Sequence, residues 1–249
     1  MSWRDRKPSA DEVSDADTVA YFDDHIPDYS PERLELAASY ISEMANPGAS
    51  LIDLGCGVGN TLEFLAARTP VNDFTALDVS VNCLVKTREL VECETIEGSV
   101  LDPAIAARLE GRFDFAVLSA VLHHLVGKTR TESRSNAVVA VRNALTMLGD
   151  NGVLLIHEPV FESRILMDGV FWAKRGLSRV SGNRRVPVLG YWGNLGAPVV
   201  SYYSDEGLTA IVREGGGSAV RHRNEPHRLP GIMNRLLVRS NVTAAIRAI

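Results

Sequence analysis

The sequence predicts an α/β fold, a doubly wound, mostly parallel sheet of seven strands with helices on both faces. Three observations point there. Strand-length apolar runs alternate with helix-length segments, a glycine-rich bend, LIDLGCGVGN at 51–60, follows the first run, and two late runs look like a closing pair of strands. Such alternation builds βαβ units, whose crossovers lay helices on both faces of a sheet.

Residues 1–29 read as an N-terminal segment with a flap helix, SDADTVAYFDD, that presents Val19, Tyr21 and Phe22. Ser30, Pro31 and Glu32 then form a helix start, with a capping hydroxyl, proline at the first helical position and an acid in the first turn. The helix LELAASYISEM runs to a stop at Asn46, Pro47 and Gly48. Four strand–helix pairs follow: SLIDL with NTLEFLAAR, FTALDV with VNCLVKTREL, ETIEG with PAIAARLE, and FDFAVLSA with SNAVVAVRNALTML. Gly149, Asp150, Asn151 and Gly152 turn the chain into a fifth strand, GVLLIHE.

After Glu158 the rhythm breaks. Residues 159–203 hold two tryptophans, three tyrosines and several glycines and prolines, which read as a cap inserted into one domain spanning 30–249. Within it, FESRILMDGVFWAKRGLSRVSGNRR can form a helix with Phe161, Ile165, Trp172, Leu177 and Val180 on one side and Arg164, Lys174, Arg175 and Arg179 around the other. Its apolar side is expected to pack on the sheet with the charges in water. The same pattern also suits a basic amphipathic helix resting on anionic membrane, or receiving a phosphorylated or lipid-linked substrate. SDEGLTAIVREGG resumes a helix with Ser204 as N-cap, and SAVRHRNE and IMNRLLVRS are the expected closing strands.

The formal net charge of −5 argues against a protein that coats nucleic acid. The charge is unevenly spread: residues 1–30 carry eight acids against three bases, while 161–190 carry six bases against Glu162 and Asp168. Three cysteines, Cys56, Cys83 and Cys93, without CxxC spacing suggest neither a disulfide framework nor a zinc site, and fit a reducing cytoplasm. No apolar signal core or membrane-length run is present, so a cytoplasmic protein is expected.

The bend at 51–60 carries the chemistry. In an open parallel sheet, the loop after the first strand meets the ligand beyond the strands' carboxyl ends. Gly55, Gly57 and Gly59 let the backbone turn sharply there and bring its N–H groups to a bound molecule. A dinucleotide fingerprint reads G-x-G-x-x-G, whereas this spacing is G-x-G-x-G, led by Asp53. A carboxylate in that position repels pyrophosphate and suits a ligand carrying an ammonium group and no phosphate.

These residues resemble motif I of the class I, Rossmann-like S-adenosylmethionine-dependent methyltransferases, and further stretches agree. FTALDVS ends the second strand with Asp78, where the family's acid binds both ribose hydroxyls, followed by Val79 where an apolar side chain flanks adenine. EGSVLD matches the place of a Gly-Asp pair that bonds the adenine amine, with Ser99 in place of the acid and Val100 next. FDFAVLSAVLHHL resembles the fourth motif, with Ser119 and Ala120 near the methionine end. The resemblance implies a cofactor site of Asp53, Gly55, Cys56, Gly57, Gly59, Asn60, Asp78, Val79, Ser99, Val100, Ser119 and Ala120, with S-adenosylhomocysteine as product. An NAD-binding domain is the competing nucleotide reading, which the glycine spacing opposes. A relative that keeps the pocket as a non-catalytic scaffold or sensor is the competing functional class.

Methyl transfer from a sulfonium needs an aligned acceptor and little else, although a hydroxyl acceptor gains from a general base. His123 and His124 after the fourth strand, and Glu158 at the end of the fifth, are the candidate catalytic residues. His157 and Glu158 face opposite ways along a strand, so at most one points at the acceptor. Only Glu158 stands where metal-dependent catechol-type enzymes need several acids, so no metal is expected; His222, Glu225 and His227 read as a surface loop. The N/D-P-P-Y-like motif of amino-methylating DNA and RNA enzymes, the Pro-Cys pair of cytosine-C5 enzymes and the paired-glutamate loop of protein arginine methyltransferases are missing. The expected partner is therefore a small organic acceptor, methylated on oxygen in secondary metabolism, with Tyr21, Phe22, Trp172, Tyr191, Trp192 and Tyr202 as cap residues around it. A lipid-linked or glycolipid acceptor at a membrane surface is the alternative within the enzyme class.

Overall fold

Strands covered on both faces must be apolar on both, and these runs obey that rule in alternating rows. In the computed structural model, which describes residues 34–181, 198–227 and 239–249, the elements are α1 (Glu35–Met44), β1 (Ser50–Leu54), α2 (Asn60–Arg68), β2 (Asp73–Asp78), α3 (Val81–Leu90), β3 (Glu94–Glu97) and α4 (Pro103–Arg108). They continue with β4 (Phe113–Ser119), a 3-10 turn (Leu122–His124), α5 (Arg130–Thr146), β5 (Leu148–Phe161), α6 (Arg164–Ser181), α7 (Asp205–Glu214), β6 (Gly217–His227) and β7 (Arg239–Ala248). The strands form one seven-stranded sheet in the order β3-β2-β1-β4-β5-β7-β6. β1 to β5 run parallel, and β7 pairs antiparallel with both β5 and β6.

The register explains the two cores. Ile52, Ala116, Leu154 and Ile246 lie in one row across β1, β4, β5 and β7, and all join the core against α5 and α7, with Val141, Ala144, Leu208 and Ile211. The adjacent row, Phe74, Leu51, Phe115 and Val153, faces the other way onto α1 and α2, with Ile41, Leu62 and Leu65. Alternating rows thus bury both faces, and the strands' carboxyl ends stay available for a site.

Local signals set the helix starts. Ser80 caps α3 by accepting from the Cys83 N–H, Asp102 caps α4 from Ala104 with Pro103 behind it, and Ser204 caps α7 from Gly207. α5 begins at Arg130, earlier than the expected Ser135, because Thr129 accepts from the Glu132 N–H and opens the helix before its apolar residues reach the core.

Three expectations need correction. The last strand is Arg239–Ala248 rather than 232–240, of which 232–238 lie outside the described residues. NVTAAIRA takes the place because small side chains at 244 and 245 fit a strand buried on both faces, Ala244 at 4% exposure and Ala245 at 0%. The fifth strand is also longer than GVLLIHE, reaching Phe161 because β7 pairs with it through Phe161↔Arg239.

The third correction concerns α6. The helix exists, but its apolar stripe is not the side that packs: Ile165, Trp172 and Val180 are exposed while Lys174, Arg175 and Ser178 are buried. The physical reason lies underneath. Met167 joins a small cluster with Phe161, Val170 and Tyr202, but the next turn lies over the loop after β4, where Arg175 Nη1 donates to the Gly127 carbonyl at 2.9 Å. That carbonyl asks for a donor, so Arg175 turns in over the buried Phe171 ring. The flap helix, the Ser30–Pro31–Glu32 start and the cap residues Tyr21, Phe22, Tyr191 and Trp192 lie outside the described residues.

Candidate active site

The glycine bend leaves β1 with Gly55, Gly57 and Gly59 all at positive φ, 81°, 54° and 91°. A Cβ on Gly59 would stand 2.9 Å from Thr87, and one on Gly55 2.9 Å from a Val121 methyl, so these two are needed for close packing as well as for the turn. At Gly57 a Cβ would meet nothing within 4 Å; that side of the loop is open. Thr87 on α3 holds the bend through its hydroxyl, which donates to the Gly57 carbonyl at 3.1 Å. Asn60 opens α2 directly behind Gly59.

Asp78, at the end of β2, braces the same bend. Its Oδ2 accepts from the Gly57 N–H at 2.9 Å and its Oδ1 from the Ser80 N–H at 2.8 Å. Val79 follows, half-buried. At the third strand's end, Ser99 accepts from the Leu101 N–H at 3.2 Å, and the carbonyl of buried Val100 accepts from Asn143 Nδ2 at 2.8 Å.

Asp53 is 1% exposed and neither of its carboxylate oxygens has a hydrogen-bond partner. Burial, reinforced by the charge of Asp78, lifts its carboxyl to about 8. A buried carboxyl without a partner beside an open loop face asks for a cationic group. Burial, with the charges of Asp78 and Asp53, likewise pushes the Cys56 thiol up, so Cys56 is a protonated packing residue against Thr87.

β4 ends at Ser119, whose hydroxyl is buried without a partner, and Ala120, the one non-glycine residue at positive φ among the described residues (58°). A strained alanine at a strand's carboxyl end persists only where its surroundings hold it, here the Ala120 N–H donating to the His157 carbonyl at 2.8 Å. The 3-10 turn then carries both histidines. Glu158 Oε1 accepts from the Leu122 N–H at 2.6 Å and its Oε2 lies 2.7 Å from His123 Nδ1. The His123 ring stacks on Tyr202 at 5.0 Å and lies 4.1 Å from the His124 ring.

His124 is held well below its ordinary range, first by burial, then by the neighbouring His123 and Lys174, so its imidazole is neutral. Lys174, buried on the inner side of α6, is brought down to about 8 by burial. His157 turns to the opposite side of β5 and bonds Thr243 at 2.9 Å. The structure therefore brings His123, His124, Glu158 and Tyr202 together and leaves Trp172 53% exposed, edge-on to Phe171. His222 is paired with Asp205 at 2.8 Å, and among the described residues no three His, Cys, Asp or Glu side chains converge on a metal-sized site.

Several contributors were not legible in the sequence. Arg130 at the start of α5 donates from Nε to Asp168 at 2.9 Å and from Nη1 to the Ser201 hydroxyl at 3.1 Å and the Tyr202 carbonyl at 2.6 Å, tying α6 to residues 201–202. Tyr203 adds an O–H bond to the Ser133 carbonyl at 3.0 Å. Lys174 was hidden because the hydrophobic phase of α6 places it on the solvent side. Thr87 carries no local pattern that marks a contact with a loop thirty residues earlier.

An open α/β sheet with a carboxylate-led glycine bend, an acid at the end of the next strand that braces it and a histidine-bearing turn after the fourth defines a methyltransferase-type domain. The chain belongs to the family described as "Methyltransferase domain", whose model matches residues 28–216. Among curated proteins it resembles ribosomal RNA small subunit methyltransferase C of Enterobacter sp. (strain 638), at 26% identity over 135 residues, 53% of this chain and 38% of that one. The chain thus spans well under half the length of that relative. Among solved structures, the [4+2]-cyclase SpnF superposes with a TM-score of 0.58 at 16% identity, covering 97% of this chain and 96% of the other. The Burkholderia thailandensis 1,6-didemethyltoxoflavin-N1-methyltransferase, solved with bound 1,6-didemethyltoxoflavin and S-adenosylhomocysteine, superposes with a TM-score of 0.53 at 14% identity, covering 88% of this chain and 79% of the other. The unpartnered Asp53 carboxyl and the open face of Gly57 fit S-adenosylmethionine, the methyl donor to which this family's cofactor site corresponds.

Proposed function

We propose that this protein transfers the methyl group of S-adenosylmethionine to a hydroxyl oxygen of a small organic acceptor in secondary metabolism, in the cytoplasm. The observation that carries the reading is the neutral His124 imidazole beside the His123–Glu158 pair, directly after the strained end of β4. A sulfonium supplies an electrophilic methyl, so the protein's task is to hold the acceptor in line, keep water out and take the hydroxyl proton. A neutral imidazole can accept the acceptor hydroxyl's hydrogen bond, and because burial lowers its basicity it takes the proton as methyl transfer makes that hydroxyl strongly acidic. Glu158 accepts from the backbone N–H of Leu122 and, as a carboxylate, fixes His123 with Nδ1 donating, so the pair orients the turn on which His124 sits.

The supporting residues divide the work. Asp53, Gly57 and Asp78 would hold the cofactor's charged and ribose ends, with Ser99 and Val100 at the adenine and Ser119 and Ala120 at the methionine. The segment 159–203, with Tyr202 stacked on His123, would close the acceptor side as a cap. A small acceptor rather than nucleic acid is supported by the net charge of −5 and the missing N/D-P-P-Y motif, and the ribosomal RNA relative is matched over 38% of its length only.

Calorimetry with S-adenosylhomocysteine, followed by a turnover screen over hydroxylated metabolites, tests this reading. We expect binding and an O-methylated product, and in His124→Gln a turnover lowered by roughly 10²-fold at unchanged product affinity. Binding with no acceptor in any extract would instead favour the scaffold or sensor class. Full turnover in His124→Gln would assign that ring to structure.

A further inference from the structure

Between α7 and the strands β7 and β6 lies a cavity of about 190 Å³, with Val242, Ala244 and Ile246 on its floor and Leu208 and Val212 on its roof. All five are 5% exposed or less. The register explains the space. Ala219 of β6 stands opposite Ile246, and Gly217 opens the same row, so this end of the strand brings one methyl group and no longer side chain to the volume under α7. Interiors are otherwise close-packed, and about 150 Å³ of apolar cavity already takes up a benzene ring.

The rim selects the occupant. Arg213 and Thr209 of α7 and Ser218 of β6 border the opening, all three exposed. Among the described residues, none of these side chains makes a hydrogen bond or an ion pair. The acids beside them are committed elsewhere. Glu214 feels the Arg213 charge but gives its two carboxylate oxygens to Arg134 at 2.6 and 2.7 Å, while Asp205 accepts from His222 at 2.8 Å and Asn224 at 2.7 Å. Glu206 stands about two turns up the helix from Arg213. A guanidinium flanked by two hydroxyls over an apolar hollow complements a molecule with an apolar body and a carboxylate at one end. A neutral apolar molecule would use the hollow but not the arginine, and an inorganic anion the arginine but not the hollow.

We propose that this cavity is a second small-molecule site, taking a small aliphatic or aromatic carboxylic acid whose apolar body lies under α7 and whose carboxylate meets Arg213. β7 and β6 lie beyond β5, on the side of the sheet away from β1, so the cavity shares no residue with the glycine bend or with the histidine turn. Its connection to the candidate active site is α7 itself. The helix starts at Asp205, directly after Tyr202, whose ring stacks on His123, and Tyr203, whose O–H donates to the Ser133 carbonyl. An acid seated here packs against the helix that anchors one end of the cap. This goes beyond the reaction proposed above and stands whether or not that reaction is correct.

The test is a titration of the full chain with phenylacetate, followed through its alanine and isoleucine methyl NMR signals, with phenylacetamide as the neutral counterpart and acetate as the anion without a body. We expect phenylacetate to shift the methyls of Ala219, Ala244 and Ile246 and to saturate at a dissociation constant on the order of 1 mM. Phenylacetamide should bind about fivefold more weakly or worse, and acetate roughly tenfold more weakly or worse. Arg213→Gln should bring phenylacetate to the level of the amide, and Ala219→Phe, which sets a ring into the hollow, should abolish the shifts. Both positions are exposed, and unchanged melting would show that the variants fold. No shift at about 10 mM phenylacetate would overturn the proposal. Equal binding of the amide, undiminished binding in Arg213→Gln, or shifts around His123 and Tyr202 in place of Ala219 and Ala244 would each do the same. S-adenosylhomocysteine titrated into the same samples reads the cofactor site separately, because the two sites have no residue in common.

Discussion

Glu158 Oε2 lies 2.7 Å from His123 Nδ1 while its other oxygen accepts from the backbone N–H of Leu122, so one buried carboxyl fixes both the ring and the turn that carries it. Charge and geometry are separable in such a pair. Glu158→Gln keeps an acceptor for Leu122 but presents a neutral amide to His123, so turnover should fall by roughly tenfold to a hundredfold with cofactor affinity within about threefold. Glu158→Ala removes the carboxylate that faces both His123 Nδ1 and the buried Leu122 N–H and should cost about 3 kcal/mol in denaturant unfolding. Wild-type turnover in Glu158→Gln would show that the charge has no part in the reaction.

Asp53 gives a pH dependence with a definite sign. Its folded carboxyl titrates at about 8, far above the ordinary carboxylate value, so between the two the unfolded chain binds fewer protons and stability declines as pH rises. Asp53→Asn should therefore melt at higher temperature than the wild type at pH 7 to 8. Ligand binding runs the other way. An ammonium group needs the ionised carboxylate, so at pH below about 8 binding of S-adenosylhomocysteine should expel close to one proton, and affinity should rise toward pH 8. Calorimetry in buffers of different ionisation enthalpy reads the proton directly, and its absence would remove Asp53 from the ligand site. In Asp53→Asn the release should vanish.

What the sequence made legible follows from how local each signal is. The βαβ alternation, the Ser204 cap and the bend at Gly55, Gly57 and Gly59 depend on neighbouring residues, and the structure contains them where their patterns stand. The orientation of α6 does not, because Arg175 on its buried side answers the Gly127 carbonyl, a group some fifty residues earlier that the helix's own periodicity does not register. β7 was misplaced for a related reason: the alanines at 244 and 245 signal a strand only once β5 and β6 are known to flank it. At the site, residue types were readable but partners were not. Nothing in HEPVF says that Glu158 reaches back to His123, or that His157 turns to Thr243.

Gly59 and Gly57 should separate folding from binding. Gly59→Ala puts a Cβ 2.9 Å from the Thr87 backbone in a left-handed conformation and should cost about 3 kcal/mol of stability. Gly57→Ala carries the left-handed cost alone, about 1 kcal/mol, since nothing lies within 4 Å of the added methyl. That methyl does enter the open face of the bend, so binding of S-adenosylhomocysteine should weaken by roughly tenfold or more in a protein that melts close to the wild type. The reverse pattern, intact binding in Gly57→Ala, would place the ligand elsewhere.

Arg130 is a positioning residue whose effect should show on the acceptor and not on the cofactor. Its guanidinium ties Asp168 of α6 to Ser201 and Tyr202, the segment that stacks on His123, and none of its bonds touches the glycine bend. Arg130→Ala removes three hydrogen bonds around a mostly buried group and should cost about 3 kcal/mol, less than their sum because they act as one unit. Arg130→Lys keeps the charge for Asp168 without the fork that reaches Ser201 and Tyr202 together, so it should recover stability only in part. With the acceptor in hand, both variants should raise its KM severalfold while the affinity for S-adenosylhomocysteine stays within about twofold. Equal losses for acceptor and cofactor would mean that the clasp supports the whole fold instead of the acceptor side alone.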